Sequence, residues 1–177
     1  LGFGRIDEDW LLRIHVAVEK GTARSKPVSE EDTPVSVERT SAALETATRF
    51  LAAECGIPHL KLLPYRLPLI ILARFLHLHP SPPPRARLLL RRWLWRGALS
   101  RRHGDSSRAG TQRALDAVTE ELWASVGRLL ESVPTSFESP DPRTAKWSST
   151  GAEAKLILLA QWNEVDRLRL WSEGRSE

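Results

Sequence analysis

The sequence predicts an all-α fold, an irregular bundle of about six helices, on three observations. Apolar residues recur at helical spacing in successive windows along the chain. No window alternates apolar and polar residues as a half-buried strand does, and no hairpin turn or internal repeat is present. Pro58, Pro80–Pro84 and Pro134 stand between the periodic windows, where a missing N–H costs least. The length of 177 residues suits one helical domain, 1–177. A chain of that size buries about 70% of the surface its unfolded form exposes.

Asp7 is an N-cap candidate, with Glu8 and Asp9 in the first turn of a helix whose face is Leu11, Ile14 and Val18. Residues 21–34 are polar and carry two prolines, which predicts a loop. A second helix is expected over Val37–Glu54, with a stripe of Leu44, Ala47, Phe50 and Leu51. Gly56 suits the C′ position and Pro58 prevents continuation. Pro64 and Pro68 fit a turn and a first helical turn. The helix Leu69–His79 is apolar on nearly every side and belongs at the centre of the fold.

Pro80–Pro84 is a rigid connector. The fourth helix starts near Arg85, with Ala86, Leu89, Leu90, Trp93 and Gly97 on its inner face and Arg85, Arg91, Arg92, Trp95 and Arg96 opposite. It is expected to run through Arg101, Arg102 and His103 to Gly104. Ser106–Gly110 reads as a turn. A fifth helix is expected over Thr111–Val133, on the stripe Leu115, Val118, Leu122, Leu129 and Val133. Residues 135–149 read as loop. Thr150–Glu153 resembles a capping box before a last helix, Ala154–Trp162.

Hydrophobic residues make up 41% of the chain and charged residues 27%, which is globular composition. A single cysteine, Cys55, excludes an intrachain disulfide and a multi-cysteine zinc site, and suits a cytoplasmic setting. The chain lacks Met and begins at Leu1, so it is expected to be part of a longer protein. The longest apolar run, Leu67–Leu78, is interrupted by Arg74 and is too short to span a membrane. No membrane partner is expected.

The net charge of +4 conceals an asymmetry. From His59 to Arg113 there are twelve Lys/Arg and one acid, Asp105, a local charge of +11. The remainder holds fourteen bases and twenty-one acids, or −7. Arginine supplies 21 of the 26 bases, and its planar fork suits phosphate. A GC-rich genome would give the same arginine bias, but it explains the clustering less easily.

Catalytic signatures are missing. There is no HExxH, phosphate-binding glycine loop, GxSxG or GxGxxG. His77 and His79 point about 200° apart on a helix, which is wrong for chelation. Cys55, beside a helix-ending glycine, reads as a buried thiol. Glu30, Glu31 and Asp32 read as a solvated acidic run. No catalytic residue, metal ligand or cofactor is expected in this chain. The one constellation with chemical potential is Arg91, Arg92, Trp95 and Arg96, followed by Arg101 and Arg102. Such a face would contact phosphates and stack a base on Trp95. Five phosphate contacts would give a slope of log K against log salt of about −4 to −5. The same residues also read as a solvated basic surface, with Trp95 packed on a neighbouring helix or domain.

Leu62-Leu63-Pro64-Tyr65-Arg66-Leu67-Pro68-Leu69, followed by Leu90-Arg91-Arg92-Trp93-Leu94-Trp95-Arg96-Gly97-Ala98-Leu99-Ser100, resembles the helical region of bacterial GmrSD-type defence proteins. There an LPY…PL turn precedes a buried helix, and a Trp-aromatic-Trp helix ends in a small residue and Ser. Leu94 replaces the middle aromatic here. Phe3-Gly4-Arg5 is similar to the exit from the family's ParB-like domain. The resemblance covers about residues 1–133 and is densest over 60–103. It implies a chain flanked by a ParB-like nucleotide-hydrolysing domain and an HNH nuclease domain. The setting it implies is modification-dependent restriction or phage defence, with phosphorothioate-modified DNA as the trigger in the Ssp branch. No DGQQR-like segment and no His-Asn-His pattern occurs here, so no catalytic residue carries over. The implied partners are DNA and the neighbouring domains of the parent chain, with a homo-oligomer as a further possibility. The alternative is a purely structural bundle between domains or protomers.

Overall fold

The computed structural model describes residues 2–23, 34–137, 141–143 and 151–173, the last nine as helix backbone only. The described residues are all-helical, with no strand: seven α-helices and two single 3₁₀ turns. The helices are α1 (Glu8–Lys20), α2 (Pro34–Ala53), α3 (Leu67–Leu78), α4 (Pro84–Leu99), α5 (Arg108–Asp116), α6 (Leu122–Glu131) and α7 (Ala152–Glu173). The 3₁₀ turns are Leu60–Leu62 and Arg102–Gly104. No described helix is long and apolar enough to cross a membrane.

The architecture follows from α3. Every residue from Leu67 to Ala73 is buried, as are Phe75 and Leu76. A helix without a polar face must be covered on all sides. α1 and α2 pack on it, α5 touches it, and α4 pairs with α6 beside it. Arg74 is the only charged residue of α3. Its guanidinium donates to the Val18 carbonyl and lies against Gly21, so a cation closes the carboxyl end of α1.

α1 begins as its sequence requires: Asp7 accepts the Trp10 N–H at 3.1 Å. It ends at Gly21, whose φ of 61° is left-handed. Its core face is Ile14, Ala17 and Val18. Leu11, placed inward by spacing, is 40% exposed, because Trp10 takes the contact at that end. α2 presents small residues inward, Ser36, Thr40, Ala43 and Ala47, which brings its backbone close to its neighbours. His15 Nδ1 and Thr40 Oγ1 join α1 to α2 at 2.8 Å. Gly56, with φ 67°, ends this segment, and the Ile57 N–H reaches back to the Leu51 carbonyl at 3.0 Å. A Cβ at Gly56 would lie 2.2 Å from Asn163 Oδ1 of α7.

Several expectations are corrected. α4 stops at Leu99 and does not reach Gly104. Arg101 takes the left-handed conformation (φ 60°), and the following 3₁₀ turn folds His103 back against α4. The buried face of α4 is also wider than the expected stripe, since Leu94 and Ala98 join it. The helix expected over Thr111–Val133 is two helices, α5 and α6. The buried Ser125 hydroxyl accepts the Thr119 N–H at 2.8 Å and lies 2.9 Å from the Thr119 carbonyl, holding the break. The last helix runs to Glu173, beyond the expected Trp162. Thr150 of the expected capping box lies outside the described residues, as do 24–33, 138–140 and 144–149 of the expected loops. Glu153 of that box pairs with Arg101 instead.

His103 is the buried polar residue with the largest consequence. Its ring meets the Trp93 indole edge-on at a centroid distance of 4.7 Å. A Cβ at Gly97 would lie 2.1 Å from His103 Nε2. Only glycine at 97 admits the ring. Gly97→Ala gains about 1 kcal/mol of helix propensity but overpacks this site. The expected outcome is a net destabilisation of about 1–3 kcal/mol in urea unfolding.

Burial lowers the His103 pKa to about 4, from 6.5, with the backbone at Trp93 and Leu94 opposing the shift. The folded state therefore holds the neutral ring, and the unfolded chain takes up the extra proton between pH 6.5 and about 4. This contribution is complete above pH 6.5 and is lost as pH falls toward 4. It amounts to about 2 kcal/mol between pH 7 and pH 5. Urea unfolding at these two pH values should show the fall, reduced at least by half in His103→Gln. His77, also lowered by burial, acts in the same sense and stays in the variant. An undiminished fall in the variant would assign the effect to another group.

Candidate nucleic-acid interface

α4 sets the geometry of the predicted basic face. Residues seven and eleven positions apart return to within about 20° of each other on a helix. Arg85, Arg92 and Arg96 have that spacing and form a line about 16 Å long. Arg85 and Arg92 are exposed and Arg96 is half-exposed. Arg92 and Arg96 make no ion pair or hydrogen bond among the described residues. Arg85 lies over the indole of Trp123 from α6, with its guanidinium 5.8 Å from the ring centroid.

The other candidates are placed differently. Arg91 is exposed, but its Nη1 donates to the Glu54 carbonyl at 3.4 Å. Arg87, one turn earlier, pairs with the Glu54 carboxylate at 3.1 Å. Both therefore lean toward the end of α2. Arg101 pairs with Glu153 of α7. Arg102 is exposed on the second 3₁₀ turn, and its charge helps to hold the Asp105 carboxyl below its ordinary pKa. Trp95 is half-buried and packed against the core. Part of its surface is therefore engaged by the protein.

The structure thus leaves Arg92 and Arg96 from the predicted set as unpaired cations among the described residues, with Arg102 exposed beside Asp105. Arg85 belongs with them, and its seven-residue spacing to Arg92 was the available signal. Unpaired surface cations keep their full field within roughly a Debye length, about 8–10 Å at ordinary salt.

Other chemistry-bearing residues are held as packing. Cys55 is buried, and desolvation together with the Glu54 charge pushes its thiol up to about 12, which suppresses the thiolate. His79 Nε2 lies 2.9 Å from the Thr119 carbonyl and its ring leans on Phe75. It helps to hold the α5–α6 break. Among the described residues, no group of three His, Cys, Asp or Glu is arranged to hold a metal ion. No family model, curated protein or solved structure matches the chain.

Proposed function

We propose that this chain is a helical module that holds the nucleic-acid backbone through Arg92, Arg96 and Arg102. The carrying observation is that Arg92 and Arg96 have no acidic partner among the described residues, with Arg85 in line on the same helix and Arg102 exposed nearby in the chain. Guanidiniums bind phosphate oxygens bidentately and without regard to sequence. The resemblance to the GmrSD-type helical region supplies the setting: a modification-dependent defence nuclease whose NTPase and HNH nuclease domains this bundle couples. No catalytic residue is assigned to the chain.

A coupler that never touches DNA is the second reading. Trp95 engaged on the core and Arg101 tied to α7 favour it. So do Leu158 and Trp162, four residues apart and both exposed on α7.

Fluorescence anisotropy with labelled duplex across a salt series separates the two. Three phosphate contacts predict a slope of log K against log salt of about −3. Arg92→Glu/Arg96→Glu should weaken binding at least tenfold at low salt and flatten the slope by about 2. A folded chain that shows no binding at low salt, or a flat slope, would leave the coupler.

A further inference from the structure

One recess of the molecule is lined by none of the α4 arginines. It is a cleft of about 550 Å³ between α1, the turn before α3 and the start of α5. Three arginines line it, one from each element: Arg13, Arg66 and Arg108. Among the described residues, no Asp or Glu lines it. Tyr65 and Thr111 line the same space, together with apolar Ile70.

Two of the guanidiniums are ordered by one ring. Arg66 and Arg13 lie 5.1 and 5.6 Å from the centroid of Trp10. Such contacts hold the side chains in place without neutralising them. Arg66 also pairs with Asp7 at 2.9 Å. Arg13 and Arg108 make no ion pair among the described residues. At the amino end of α5, the Ser107 N–H donates to Asp105 at 3.2 Å, and the Gly110 N–H to Ser107 Oγ at 3.0 Å. The guanidiniums of Arg13, Arg66 and Arg108 give the cleft its positive field.

Charges of one sign around a recess with low-dielectric walls focus their field into it. Guanidinium forks match the oxygens of a phosphate dianion in shape and spacing. The volume falls within the roughly 300–1,000 Å³ of small-molecule sites. We propose that this cleft binds a small phosphate monoester, with its phosphate among Arg13, Arg66 and Arg108 and its organic body against Tyr65 and Ile70. None of the arginines proposed to hold nucleic acid lines this cleft.

Isothermal titration calorimetry of the whole chain at fixed ionic strength tests this with four probes: adenosine 5′-monophosphate, glucose 6-phosphate, inorganic phosphate and adenosine. Saturable binding of at least one ester, with none of adenosine, is expected. Inorganic phosphate binding as tightly as the esters would support the phosphate site and identify the free anion as its occupant. Arg13→Gln and Arg108→Gln should each weaken binding at least tenfold with circular dichroism unchanged, and Arg92→Gln should leave it unaltered. Both cleft residues are exposed, so the fold survives their replacement. The proposal is overturned if no phosphate saturates, if adenosine binds as well as its phosphate, or if Arg92→Gln weakens binding as much as Arg13→Gln. Loss or persistence of duplex binding in Arg92→Glu/Arg96→Glu bears only on the nucleic-acid face.

Discussion

The structure depends on enclosing α3. A helix that buries Leu67, Leu69, Ile70, Ile71, Leu72, Phe75 and Leu76 has no side left for water. Each such side chain contributes roughly 1.5–3 kcal/mol when removed from water. That gain is realised only if several other helices close around it. α1, α2 and α5 therefore meet α3 directly, while α4 and α6 complete the same continuous core. Arg74 shows how a charge is admitted to such a helix. Its guanidinium reaches the carbonyl end of α1, where a cation is stabilised and unpaired oxygens need a donor.

The second constraint is the fold-back after α4. Trp93, 1% exposed, needs a partner surface, and the His103 ring supplies it. That ring fits because residue 97 is glycine. The left-handed Arg101 turns the chain to bring the ring there, and its pairing with Glu153 ties the turn to α7. Gly104 packs against Tyr65, so the same turn forms one wall of the arginine-lined cleft. Packing in the resembling segments, Leu62–Leu69 and Leu90–Ser100, thus shapes a recess whose charge comes from residues largely outside them.

The basic segment divides by function once folded. Arg66, Arg87, Arg101 and Arg113 find carboxylates at Asp7, Glu54, Glu153 and Asp105. Three of these pairs join residues 59, 33 and 52 positions apart. Exposed pairs of this kind contribute about 0–1 kcal/mol, so they direct side chains more than they stabilise the fold. Arg85, Arg92 and Arg96 remain on the α4 line, and Arg108 lines the cleft. A count of charge along the chain shows the excess, but not which cations remain available.

Local chemistry was sufficient for the helical class, the Asp7 cap, the Gly21 and Gly56 ends, the central place of α3 and the burial of Cys55. Each rests on residues within one or two turns of each other, where periodicity, capping and φ preference act directly. The end of α4 at Leu99, the break between α5 and α6, and the engagement of Trp95 were decided by contacts made only after folding. At the break, a buried serine hydroxyl outcompetes an uninterrupted apolar stripe, which period alone reads as one helix. At Trp95, a residue placed among arginines by its angle on the helix is held by core packing instead. The cleft assembles Arg13, Arg66 and Arg108 from three separate elements, and no spacing in a linear chain marks residues that meet only because α1, α3 and α5 converge.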